Sequence, residues 1–170
     1  MSRIIFLCGM PGSGKTTTAK KLAKLLNWNL IDLDKHIAEI TKKSPKQWIT
    51  EQGEAAFREV ESETLQQLIF QNNTVVAVGG GTPCFNTNFE WMQKNGTCIY
   101  LEVPLKALWN RVTTKDVGTR PLLGNEEEAV QKLTELFEAR KTIFEQIEWK
   151  ESGISLDVKV LAEKIKNSVH

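Results

Sequence analysis

The sequence predicts an α/β fold: a three-layer α/β/α arrangement with a mainly parallel sheet covered by helices on both faces. Three observations predict it. Short apolar runs with strand character alternate with helix-like patterns along the chain. No repeat, low-complexity tract or linker breaks the alternation. The first apolar run also leads into the glycine-rich stretch Gly9-Met10-Pro11-Gly12-Ser13-Gly14-Lys15-Thr16, a loop of the kind that joins a strand to a helix.

The elements follow in order. Residues 3–8 (RIIFLC) read as a buried strand, and 15–27 as a helix with Ala19, Leu22, Ala23 and Leu26 on one face. NLIDL at 29–33 is a second strand, followed by a helix that begins at Lys35. Residues 54–71 form a strong helix. TVVAV at 74–78 is a third strand, ended by Gly79, Gly80 and Gly81. TCIYLEV at 97–103 is a fourth, stopped by Pro104, and 105–112 is helical. Residues 113–127 (TTKDVGTRPLLGNEE) are polar, with two glycines and a proline, and read as a mobile loop. A long helix covers 128–148, and ISLDV at 154–158 is a short last strand before a C-terminal helix. Crossovers in such a sheet are right-handed, and ligands bind beyond the carboxyl ends of its strands.

The totals narrow the function. A chain of 170 residues fits one domain with a real core. Its 22 basic and 21 acidic residues leave a net charge of +1, which gives no reason to expect a nucleic-acid or membrane-surface partner. The three cysteines, Cys8, Cys84 and Cys98, match no metal or redox spacing. Cys8 and Cys98 lie in apolar runs and read as small buried hydrophobes in a reducing compartment. With no membrane-length apolar stretch and an N-terminus that starts on a strand, the expected location is the cytoplasm.

The glycine-rich loop fits G-x-x-x-x-G-K-[ST] in full. Its glycines let successive backbone N–H groups converge on one anion, and the helix after it adds the positive end of its dipole. Gly12, Ser13, Gly14, Lys15, Thr16 and Thr17 are therefore the candidate nucleotide-binding residues. Lys15 reaches the outer phosphates, and the Thr16 hydroxyl is placed to ligate Mg²⁺. A turn that binds nothing is the alternative, and the flanking strand and helix weigh against it. The sequence has no guanine-reading N/T-K-x-D: Thr114-Lys115-Asp116 lacks the spacer. No apolar strand ends in the acidic pair of a hydrolysis-driven ATPase, so the metal needs an acid from elsewhere.

Asp32 and Asp34 sit two residues apart at the end of the second strand, on one face by alternation. Two neighbouring carboxylates are tolerable when a cation or ligand lies between them. Asp32 is the better metal candidate, through water. Asp34, further out, either orients and deprotonates a substrate hydroxyl or caps the next helix. Arg58 shares a helical stripe with Glu61, Leu65 and Ile69, and Arg140 one with Leu133, Phe137 and Phe144. Arginine on an inward face calls for an anion: a carboxylate-bearing substrate, or a structural salt bridge. Arg120, in the polar loop, either closes over transferring phosphates or is an exposed charge. Arg111 either stacks on an adenine or is solvated. Gly79, Gly80 and Gly81 let a ligand touch backbone at a strand end, or make a plain exit turn.

Taken together, these pieces resemble the shikimate kinase family over nearly the whole chain. The resemblance rests on GMPGSGKTT at 9–17, D-L-D at 32–34, GEAAFREVE at 53–61, VGGGTP at 78–83, RPLL at 120–123 and the late ARKTIF. It implies a five-stranded sheet of the P-loop kinase type. It also implies transfer of the ATP γ-phosphate, with Mg²⁺, to the 3-hydroxyl of shikimate by a monomer. By resemblance, Thr16 and Asp32 serve the metal and Asp34 meets the shikimate hydroxyls. Arg58 and Arg140 clamp its carboxylate, Gly80 touches it through backbone, and Arg120 is the lid arginine. The expected layout is one domain over 1–170, with a lid at about 113–127 and a substrate-binding helical segment at about 34–62. Phe144 stands where the family often has Tyr, and Trp48-Ile49 where it often has Phe.

Two other readings are weighed beside it. Adenylate kinases share the loop, but D-G-[FYI]-P-R is absent; gluconate-type kinases share the loop and an acidic pair, but not D-L-D, F-R, G-G-G and R-P-L-L together. A silent nucleotide-binding module is expected to have lost Lys15, Asp34 or a clamp arginine, and all are present.

Overall fold

The computed structural model describes residues 3–114 and 126–168. Five strands, β1 (Ile4–Cys8), β2 (Asn29–Asp32), β3 (Thr74–Ala77), β4 (Thr97–Glu102) and β5 (Trp149–Ser152), form one sheet in the order β2-β3-β1-β4-β5. Every neighbouring pair is parallel. The helices are α1 (Lys15–Leu26), α2 (Leu33–Thr41), α3 (Pro45–Gln52), α4 (Glu54–Gln66), α5 (Asn88–Asn95), α6 (Leu105–Thr114), α7 (Glu126–Glu145) and α8 (Val158–Asn167).

The two-residue period of the central strand builds both cores at once. Ile5 and Leu7 of β1 face α1 and α8, where Ala19, Leu22, Leu26, Leu161 and Ile165 close over them. Ile4, Phe6 and Cys8 face the other layer, with Leu33, Ile37, Phe57, Leu65, Leu133 and Phe144. Phe6 is fully buried, with Phe70 and Trp91 set edge-on at 6.2 and 6.0 Å. Its truncation to Ala would cost about 3–5 kcal/mol. Cys8 and Cys98 are buried free thiols, as expected, and Cys84 is half-buried. No helix among the described residues is long and apolar enough to cross a membrane.

Three expectations change. The last strand is Trp149–Ser152, not 154–158. It pairs only with β4, so its side chains alternate between half-buried and exposed, and its apolar signal is weak. ISLDV instead supplies a turn and the cap of α8, Asp157, whose carboxylate accepts from Lys159 N and Val160 N. The helix expected over 54–71 ends at Gln66, leaving Ile69 84% exposed, because the chain must turn to enter β3 at Thr74. The second strand stops at Asp32, and α2 begins at Leu33, two residues before the expected Lys35. Helices α3 and α5 are additions. α3 buries none of its residues, yet its start was readable: Ser44 and Gln47 form a reciprocal capping box with Pro45 in the first turn.

Candidate active site

The glycine-rich loop leaves β1 at the sheet centre and enters α1. Gly12 and Gly14 adopt φ of 82° and 92°, a region open to glycine and strained for other residues. Gly9 is needed for space: a Cβ there would stand 2.6 Å from Ser13 Oγ and 3.0 Å from the Leu101 carbonyl. Lys15 folds its ammonium over the loop, donating to the Gly9 and Met10 carbonyls at 2.8 and 2.9 Å. Thr16 and Thr17 lie exposed in the first turn of α1, while Ser13 is buried within the loop.

Arg111 is held by the protein rather than simply solvated. Its guanidinium is half-buried, donating from Nη1 to the Gly12 carbonyl and from Nη2 to the Gly153 carbonyl, each at 2.9 Å. It thereby ties the phosphate loop to the turn after β5. Gly153 lets this turn lie against its neighbours, since a Cβ there would meet Val103 Cγ2 at 2.3 Å and the Ser13 carbonyl at 3.3 Å.

At the rim of the loop, the Thr16 hydroxyl donates to Asp32 Oδ2 at 3.3 Å. Asp32 Oδ1 accepts from the Lys35 backbone N–H at 3.3 Å and caps α2. The capping aspartate is therefore Asp32, not Asp34. Asp34 lies in the first turn of α2 and points its Oδ1 at Gly79, 3.2 Å from where a Cβ would stand. Its carboxyl is pushed up to about 6, first by burial, then by Glu61 and Asp32; Lys15 and Arg58 pull it partly back.

Beyond Asp34 two buried arginines converge beside Gly81. Arg58 on α4 and Arg140 on α7 are 9% and 7% exposed. Arg58 bonds Glu61 Oε2 through Nη1 at 2.9 Å and Glu54 Oε1 through Nη2 at 3.1 Å, and its plane covers the Phe85 ring at 4.1 Å. Glu61, fully buried, accepts a second hydrogen bond from the Thr82 hydroxyl at 2.6 Å. Arg140 forms no ion pair among the described residues. Burial, then the neighbouring Arg58, pushes its basicity below the usual arginine range. The three glycines each clear a specific side chain. A Cβ on Gly79 would meet Thr82, Glu61 and Asp34, one on Gly80 would meet Pro11 at 2.7 Å, and one on Gly81 would meet both guanidiniums.

The Phe144 and Trp48 positions are also defined. Phe144 stacks flat on Tyr100, 4.9 Å between centroids and 3° between planes. The Trp48 indole N–H donates to Thr41 Oγ1 at 3.0 Å, fastening α3 to α2. Arg120, with residues 115–125 of the expected lid, lies outside the described residues. The sequence reading gave no role to Thr82, Glu54 or Phe85. Thr82 and Phe85 reach the Arg58–Glu61 pair by tertiary contact and left no local signal, whereas Glu54 stands four residues before Arg58 on the same helix.

A loop shaped for phosphate and a pocket lined for an anion thus open on the same strand ends, and Asp34 feels both Lys15 and Arg58. This layout is that of a P-loop phosphotransferase with a small anionic acceptor. The shikimate kinase family model matches residues 11–169. The shikimate kinase of Clostridium botulinum (strain ATCC 19397 / Type A) is 40% identical over 157 residues, covering 89% of this chain and 92% of the relative. The crystal structure of shikimate kinase from Bacteroides thetaiotaomicron superimposes with a TM-score of 0.86 at 32% identity, covering 96% of each chain. Shikimate kinase from Acinetobacter baumannii in complex with shikimate gives 0.85 at 28% identity, over 100% of this chain and 97% of that one. The chain belongs to the shikimate kinase family.

Proposed function

We propose that this protein transfers the γ-phosphoryl group of ATP to the 3-hydroxyl of shikimate. The observation that carries the reading is the buried pair Arg58 and Arg140. Two guanidiniums converge beside Gly81, and Arg140 forms no ion pair among the described residues, although the Glu54 and Glu61 charges act on it. A small carboxylate with hydroxyl groups completes that pocket, and the family supplies such a substrate.

The cleft assigns the remaining work. The loop amides from Gly12 to Thr17 hold the nucleotide phosphates, and anionic oxygens there draw Lys15 away from two neutral carbonyls. The Thr16–Asp32 pair offers only oxygen donors, which suits Mg²⁺. Thr16 and Asp32 would hold the metal together with the nucleotide phosphates, since among the described residues no group of three or more His, Cys, Asp or Glu would hold one unaided. Bound there, it would supply charge neutralisation at the outer phosphates. Asp34 meets the attacking hydroxyl and accepts its proton; a carboxyl poised near 6 is basic enough to do so at neutral pH. Arg58 and Arg140 fix the carboxylate end, Gly80 adds a backbone contact, and Arg120 from the 113–127 segment neutralises the transferring group. The chain works as one domain, a cytoplasmic monomer, with the helical segment at about 34–62 holding the acceptor.

A coupled ADP-release assay with ATP and Mg²⁺ tests this, with shikimate, gluconate and AMP as parallel acceptors. Release that depends on shikimate alone is expected. Equal release with gluconate or AMP, or none with shikimate from folded protein that binds ATP, refutes it.

A further inference from the structure

Carboxylate and guanidinium groups ordinarily meet as a two-point fork. Glu61 and Arg58 do not. Glu61 gives Arg58 only Oε2, at 2.9 Å from Nη1, and Arg58 Nε is buried with no hydrogen-bond partner. The other carboxylate oxygen is taken, because the Thr82 hydroxyl donates to Glu61 Oε1 at 2.6 Å.

Thr82 is well fixed for this task. It is fully buried in the short 3₁₀ turn Thr82–Cys84. Its backbone N–H donates to the Gly79 carbonyl at 3.2 Å, and its own carbonyl accepts from Asn88 Nδ2 at 2.9 Å. Gly79 clears the space around the bond, since a Cβ there would stand 2.9 Å from Thr82 Oγ1 and 3.1 Å from Glu61 Oε1.

The geometry points to Thr82 as a positioning residue for the acceptor pocket, one that keeps Glu61 from closing both oxygens onto Arg58. With Oε1 occupied, Arg58 keeps its Nη2, which also bonds Glu54 Oε1 at 3.1 Å, beside Gly81 and Arg140. Without the hydroxyl, the freed oxygen turns to the unsatisfied Nε. The pair then becomes a fork, and the guanidinium leaves the alignment that an incoming carboxylate needs. This inference rests on the proposed shikimate reading.

The test uses the full chain as Thr82→Val, Thr82→Ala and Thr82→Ser, with KM for shikimate, KM for ATP, kcat and melting temperature measured for each. Val keeps the shape and removes the hydroxyl, Ala also removes it at smaller volume, and Ser retains it. The expected result is a KM for shikimate raised about 3- to 10-fold in both Val and Ala variants, with KM for ATP and kcat within about 2-fold of wild type and Ser close to wild type. A KM for shikimate unchanged in Val and Ala overturns the inference. So does a Ser variant as impaired as Val, or parallel losses in every constant that track melting temperature. A wild-type chain that turns over shikimate while Thr82→Val matches it refutes this role alone; a wild-type chain inert toward shikimate refutes the parent reading.

Discussion

Arg58 and Arg140, on different helices, bring their Nη2 atoms to within 2.7 and 2.9 Å of the single point where a Gly81 Cβ would stand. Two like charges converge there because the third glycine of the triplet leaves them room. Gly81→Ala therefore pushes both guanidiniums aside. Both are the far ends of flexible side chains, so the fold survives. The expected outcome is a KM for shikimate raised by about 10-fold or more, with KM for ATP nearly unchanged. Steady-state kinetics with each substrate varied in turn checks it.

The two arginines differ in what they leave behind. Removing Arg58 strands the fully buried Glu61, while removing Arg140 deletes a buried charge that has no ion-pair partner among the described residues. Arg58→Ala is expected to lose about 2–4 kcal/mol of folding stability, and Arg140→Ala to lose none or to gain. Both should bind shikimate at least about 100-fold more weakly, since each removes a guanidinium proposed to meet its carboxylate. Urea unfolding and shikimate titration of the two variants separate the effects.

Asp34 carries a pH-dependent cost in stability. Its carboxyl is raised from 3.8 to about 6 in the folded protein, so the folded state holds the proton more tightly than the unfolded chain. The resulting stabilisation is full below the unfolded value and is lost as pH rises through about 6. In magnesium-free buffer, Asp34→Asn should therefore be more stable than wild type above that pH, by on the order of 2–3 kcal/mol, and the gap should close in acid. Its kcat should fall by about 100-fold or more. Melting curves across pH 4–8 would show the gap (the range brackets both values).

Arg111 touches the phosphate loop itself. Its two bonds to the Gly12 and Gly153 carbonyls span from the phosphate loop to the β5 turn, and an ammonium cannot reproduce that fork. Arg111→Lys and Arg111→Met should each raise KM for ATP by about 5- to 20-fold while leaving shikimate affinity in place. Losses shared equally between the substrates would contradict the assignment.

Much of this was legible in the sequence, for physical reasons that vary by element. The buried strand β1 and the loop after it carry their own signals: an unbroken apolar run, then glycines at fixed offsets before Lys15 and Thr16. Arg58 and Arg140 were visible as charges on apolar stripes. The Asp34 cap reading failed because alternation was carried two residues past the true end of β2, and the cap passed to Asp32. The edge strand β5 was missed because half its side chains face solvent, and ISLDV looked more strand-like. Thr82 and the Arg111 strut were not legible, since both roles are made by contacts far apart along the chain: 21 residues from Thr82 to Glu61, and 99 from Arg111 to Gly12.

The most direct test of the central claim is ³¹P NMR of the product formed from ATP, Mg²⁺ and shikimate. The account predicts a new phosphomonoester resonance coupled to the proton on C3 of the shikimate ring, growing in step with ADP. Inorganic phosphate as the sole new signal, or a phosphomonoester coupled to a different ring proton, would contradict it.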